Sequence, residues 1–118
     1  MDNVKVFAMP LDKVYPLLVN KAVRKGRTEA EVRQLILWLT GYEPDALDAL
    51  LASSIAYGDF FLGAPRLNPN RSLITGRVCG VRVETIEDPL MREIRYLDKL
   101  VDELAGGKSM AKILRGAE

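Results

Sequence analysis

No histidine occurs anywhere in the chain, and cysteine occurs once. The usual general base and the usual zinc ligand are therefore missing, and one thiol cannot build a thiolate zinc cluster, so a metal site would rest on carboxylates alone. One cysteine also excludes an internal disulfide. Excess charge of one sign is lacking too: 17 basic against 16 acidic side chains leave a net charge of +1, so no global field draws the chain toward nucleic acid or an anionic membrane. Charges interrupt every hydrophobic run, and no segment approaches the ~20 apolar residues of a membrane-spanning helix. The start, MDNVKVFAMPLDKVYP, lacks the apolar run of a secretory signal, and with the lone cysteine this points to the cytoplasm.

What is present fits one globular domain spanning residues 1–118. Hydrophobic residues make up 48% of the chain and charged residues 28%, which excludes a disordered or fibrous composition. A chain of 118 residues buries enough surface to fold without disulfides or metals.

Residues Val4 to Met9 read as an edge strand or an extended arm. From Leu11 to Lys25 apolar residues recur at Leu11, Val14, Leu18 and Ala22, and also at Tyr15, Leu17 and Val19, which predicts a helix buried on a broad face. Pro16 requires it to start near Tyr15 or to kink there. Gly26 ends it. TEAE then forms a capping box between Thr28 and Glu31, and Val32, Leu35, Ile36 and Leu39 line one face of a second helix, with Leu37 and Trp38 widening the buried arc. Gly41 stops it, and YEPDALDALLASS restarts as a third helix with Pro44 in its first turn.

A short aromatic turn carries Phe60, Phe61 and Leu62, all expected in the core. The last long helix has the clearest start: Asp88 caps, Pro89 takes the first helical position, and Leu90, Ile94, Leu97, Val101 and Leu104 follow at steps of four and three. Arg95 with Asp98, and Lys99 with Glu103, fall at helical pair spacing on the solvent side. Gly106 and Gly107 end this helix, and KSMAKILRG makes a short final one with Met110, Ile113 and Leu114 inward. The sum is a mainly α domain of five or six helices, with room for a short two-stranded β element from VKVFA and VRVET; α+β is the alternative.

Blocks along the whole chain carry a further likeness. VYPLLVNKAVRKGRTEAEV, WLTGY, FFLGAPRLNPNRSLITGRVCGVRVE, EDPLM and IRYLDKLVDELAGGKSMAKILR together resemble the bacterial domain of unknown function family 2200. The resemblance implies a small cytoplasmic bacterial protein and brings no activity, cofactor or catalytic residue with it. Where the family pattern reads KAERKGR and CWLTGY, this chain has Val23 and Leu37, so a role needing that glutamate or that cysteine is in question here.

The segment Asn68 to Val83, NPNRSLITGRVCGVRV, concentrates the ambiguous features. Its periodicity fits strand and helix alike between Thr75 and Ile86. Arg77 and Arg82 flank Cys79, and positive charge activates a thiol; without a histidine partner, and between glycines, Cys79 reads instead as a small buried hydrophobe. Val78, Val81 and Val83 belong inside, so Asn68, Asn70, Arg77 and Arg82 form a candidate ligand-facing edge. Lys21, Arg24 and Arg27, beside the amides opening the second helix, form a candidate anion site. The third helix offers two aspartates and no basic side chain, which argues against a DNA-reading helix-turn-helix. Glu84, Glu87 and Asp88 are the one carboxylate group, and Asp88 is already a cap. No catalytic set, metal site or cofactor site follows. Two functions stay open: a non-enzymatic protein-interaction or self-associating module, with homodimerisation through part of the last helix's seam, and a small enzyme or anion-ligand binder using Asn68 to Val83.

Overall fold

The computed structural model describes residues 3–116. In chain order these form α1 (Asn3–Ala8), α2 (Leu11–Val23), α3 (Glu29–Thr40), α4 (Pro44–Leu51), α5 (Tyr57–Leu62), a 3₁₀ turn (Pro69–Leu73), strands β1 (Arg77–Val78) and β2 (Val81–Arg82), a second 3₁₀ turn (Val83–Thr85), α6 (Pro89–Ala105) and α7 (Met110–Ile113). The protein is mainly α with one short two-stranded β element, as the sequence predicts, but the described residues form seven α-helices rather than five or six, because VKVFA and the aromatic turn are each helices of their own. The β element has other members, however: β1 pairs with β2, and VKVFA lies in α1, a helix where an extended arm was expected. Val6 is its one buried side chain, so the alternation of VKVFA reflects a helix with a narrow inner face.

The helix ends follow the local chemistry. Thr28 Oγ1 accepts from the Glu31 amide at 3.2 Å and Glu31 Oε1 from the Thr28 amide at 3.0 Å, closing the capping box. Gly41, with φ +77°, ends α3 in the left-handed conformation that favours glycine. Asp88 Oδ1 accepts from the amides of Leu90 and Met91, with Pro89 at the start of α6. At α2 the start near Tyr15 is not the alternative taken: the helix begins at Leu11 and carries Pro16 inside it. Leucine 17 stands on its outer side at 60% exposure rather than in the broad buried face expected of it.

α6 is the axis of the core. It packs on α2, α3, α5 and α7, while α1 packs on α5 and α4 on α2. Of its seam residues, Ile94, Leu97, Val101 and Leu104 are at most 1% exposed, in one cluster with Leu35, Leu39, Phe60 and Ile113, while Leu90 in the first turn is only half-buried. The seam is thus filled from within the chain by α2 as well as by α3. The α1–α2 and α4–α5 links are joined by an isolated bridge between Pro10 and Ala56, with Leu11 N donating to Ile55 O at 2.9 Å. No helix among the described residues is long and apolar enough to cross a membrane.

Two expectations about side-chain placement are corrected. Leu62 is exposed, while Phe60 and Phe61 are buried, because a six-residue helix lying on the core turns only one face inward. Glu103 is buried rather than wet, and its carboxylate is held bidentately by Arg115 at 2.7 Å instead of by Lys99.

Candidate functional site

The segment from Asn68 to Val83 resolves into a cap, a turn and a hairpin. Asn68 Oδ1 accepts from the Asn70 amide at 2.9 Å and starts the 3₁₀ turn, with Pro69 in its first position. Ile74, 1% exposed, anchors the end of that turn, and Gly76, with φ +104°, redirects the chain into β1. Arg77 then pairs with Arg82 and Val78 with Val81, leaving Cys79 and Gly80 as a two-residue loop. Both loop residues have positive φ, +52° and +81°, the signature of a type I′ turn.

That geometry overturns the expectation for Cys79. A loop residue at the tip of a hairpin has no layer of structure above it, and Cys79 is exposed. The alternation argument also fails at Val81, which is 42% exposed, whereas Val78 and Val83 are buried as expected. β1 lies against α6, while both residues of the outer strand β2 are exposed.

Arginines 77 and 82 face each other. The Val83 amide donates to Gly76 O at 2.9 Å, so the Arg77–Arg82 pair lies between two hydrogen-bonded pairs. At such a position opposed side chains come closest and point to the same side of the ribbon. Beside them, Lys99 Nζ donates to Arg77 O at 3.0 Å. Glu84 reaches back across the strand start: one oxygen accepts from the Gly76 amide at 3.0 Å and the other lies 3.4 Å from Arg82 Nη1. The Gly76 amide, with help from Arg82, lowers the Glu84 pKa. No ion pair joins Arg77 or Lys99 to a carboxylate among the described residues.

The asparagines do not join this group. Asn70 Nδ2 donates to Arg115 O at 3.3 Å, which ties the 3₁₀ turn to the chain after α7. None of the five surface hollows described is lined by Asn68, Asn70, Arg77 or Arg82. The second candidate group is engaged internally. Lys21 pairs with Asp102 at 3.2 Å. Arg27 holds Glu31 at 2.7 Å and donates to the carbonyls of Leu104 and Lys108. Arg24 Nε reaches the Asn20 carbonyl at 3.4 Å, on a surface it shares with the exposed Leu17 and Val23.

The Arg95–Asp98 pair, expected on the solvent side, is half-buried, and its electrostatic influence reaches the buried Tyr57. Asp98, held by Arg95 at 2.8 Å, has its pKa raised by burial, against the opposing pull of Arg95. Burial likewise pushes the Tyr57 hydroxyl up, and it has no hydrogen-bond partner among the described residues. Asp98 raises it further. The spacing of Arg95 and Asp98 was readable in the sequence; their approach to Tyr57 depends on how α5 crosses α6. Also unread was a hollow of about 400 Å³ lined by Phe61, Leu62, Leu67, Asp88, Pro89, Leu90 and Glu93. Leu62 is its exposed edge, at 71%.

The pattern of the family described as "Uncharacterized protein conserved in bacteria (DUF2200)" matches residues 5–115. A solved structure described as "Crystal structure of uncharacterized protein SP1917" is similar, with 49% sequence identity and a TM-score of 0.91 over 97% of this chain and 93% of the other. No curated protein matches.

Proposed function

The chain belongs to the bacterial family DUF2200, whose description assigns no activity, and from the geometry we propose a non-enzymatic module that self-associates as a homodimer in the cytoplasm. One observation carries the reading: α5 and the start of α6 set a knob beside a hole. Leu62 projects at the end of α5, and Phe61, Leu67, Pro89 and Leu90 wall the adjacent apolar hollow. A leucine side chain is small enough for a volume of about 400 Å³. Two copies related by a two-fold axis exchange knobs, so each Leu62 fills the hollow of the other.

The rim is suited to such a contact. Its carboxylates are engaged within the chain, Asp88 as the α6 cap and Glu93 with Arg71 at 2.9 Å. A symmetric approach therefore leaves no carboxylate without a partner. Sedimentation equilibrium tests the proposal. The wild-type chain should show a concentration-dependent dimer, and Leu62→Asp should be monomeric with an unchanged melting temperature at low concentration. A wild type that stays monomeric at high micromolar concentration, or a Leu62→Asp variant that still dimerises, defeats it.

A further inference from the structure

We propose that Arg77, Arg82 and Lys99 form a binding site for a dianionic phosphate group on the exposed face of the β1–β2 hairpin. The proposal is independent of self-association through Leu62. Its starting point is an arrangement unfavourable in isolation: two arginines directly opposed at the position where cross-strand side chains come closest. Like charges so placed destabilise a hairpin unless something between them carries the opposite charge. The chain supplies that charge only in part. Glu84 reaches Arg82 at 3.4 Å but also accepts the Gly76 amide, which holds it to one side of the pair.

Lys99 adds a third cation. Its ammonium donates to the Arg77 carbonyl, a neutral acceptor that leaves its charge uncompensated. The carboxylate at helical spacing from it, Glu103, is taken by Arg115 and Lys108. Asp102 pairs with Lys21, and Asp98 with Arg95. Of the three cationic side chains only Arg82 meets a carboxylate among the described residues, so two charges stay uncompensated, an excess that matches the ≈ −1.5 to −2 of a phosphate monoester near neutral pH. Guanidinium groups suit this anion because their planar forks hold two phosphate oxygens at once.

The type I′ turn gives the site rigidity. Cys79 and Gly80 fix the register, so both arginines rise from a ladder closed by the Val83–Gly76 hydrogen bond. The bland alternative is that charged side chains on a short exposed ribbon merely discourage edge-to-edge pairing. That role needs no saturable anion binding.

The experiment is a titration of the ¹⁵N-labelled full chain with inorganic phosphate, holding ionic strength constant with chloride. Saturable shifts should appear in the amides from Gly76 to Glu84 and in the Arg77 and Arg82 Nε signals. Arg77→Ala and Arg82→Ala should each weaken binding at least about tenfold, as the loss of a charge-assisted pair implies. Lys99→Met should weaken it as well, and Arg24→Ala should leave it unchanged. Melting in chloride alone gives a second reading: removing either opposed arginine should leave stability level or raise it, since repulsion is relieved. Three results would each overturn the proposal: no saturable shift at tens of millimolar phosphate, shifts centred on Lys21 and Arg24, or equal binding by the arginine variants.

Discussion

Arg27 Nη1 donates to the Lys108 carbonyl at 2.8 Å and to the Leu104 carbonyl at 3.2 Å, so the turn between α2 and α3 caps the C-terminal end of α6. The same guanidinium holds Glu31, the residue that closes the α3 capping box. One side chain therefore joins two helix ends far apart in sequence. Arg27→Ala should lower the urea midpoint more than Arg24→Ala, with the slope unchanged. Arg27→Lys should recover only part of the loss, because an ammonium cannot grip a carboxylate at two points while reaching two carbonyls.

Acid should weaken this junction. Arg27 lowers the Glu31 pKa below the ordinary glutamate value, with the Thr28 amide and hydroxyl adding to the effect. A carboxyl with a depressed folded-state pKa contributes stability that is complete above its unfolded value and lost as pH falls through the folded one. The stability gap between wild type and Glu31→Gln should be full at neutral pH and close below about pH 4. A gap constant down to pH 2 would show that the charge is not what Glu31 contributes. Thr28→Ala, which removes the other half of the box, should cost about 1 kcal/mol at neutral pH.

Leu97 tests the axis of the core. It is 1% exposed in the middle of α6, among side chains from several other elements. Leu97→Ala should cost about 3 kcal/mol, combining lost burial with the cavity left behind. A loss under about 0.5 kcal/mol in denaturant melts would contradict the packing described.

The parts of the fold legible in the sequence were those fixed by neighbours along the chain. Thr28 with Glu31, and Asp88 with Pro89, act within one helical turn, so their spacing was enough to place α3 and α6. The parts misread depended on distant contacts. VKVFA alternates like a strand, yet helical backbone with Val6 inward lets α1 pack on α5. Glu103 faces the core because Arg115, twelve residues on, supplies two hydrogen bonds there. In the candidate site the arginines were found, but their direct opposition required the hairpin register. Cys79 was misjudged because its glycine neighbours were read as packing residues, when Gly80 is half of a tight turn.

The turn itself makes the next prediction. Cys79 is exposed at φ +52°, a conformation that asparagine adopts more readily than cysteine. A thiol reagent should label the native chain nearly as fast as the urea-unfolded chain. Cys79→Asn creates the Asn-Gly pair that type I′ turns prefer and should stabilise the protein by about 0.5 kcal/mol. Slow native labelling, or a destabilised Cys79→Asn variant, would mean that Cys79 is covered.

Two glycines with nearly the same backbone conformation separate strain from crowding. Gly26 and Gly41 have φ of +83° and +77°, and each follows a helix. A Cβ on Gly26 would meet nothing within 4 Å. On Gly41 it would lie 2.5 Å from the carbonyl oxygen of Arg66 and 2.7 Å from Arg66 Cβ. The Arg66 backbone is not free to withdraw, since its amide donates to Thr40 O and the Asn68 amide to Leu39 O, so the strand-like segment after α5 is laced to the end of α3. Gly26→Ala should therefore cost about 1 kcal/mol, the left-handed strain alone. Gly41→Ala should cost that plus the displacement of a hydrogen-bonded backbone, about 3 kcal/mol in all. Because the displaced segment leads directly into Asn68 and the 3₁₀ turn, amide exchange in residues 66–73 should accelerate in Gly41→Ala and remain at wild-type rates in Gly26→Ala. Equal costs for the two variants would mean that the α3 end and the Arg66 segment are not in contact in solution.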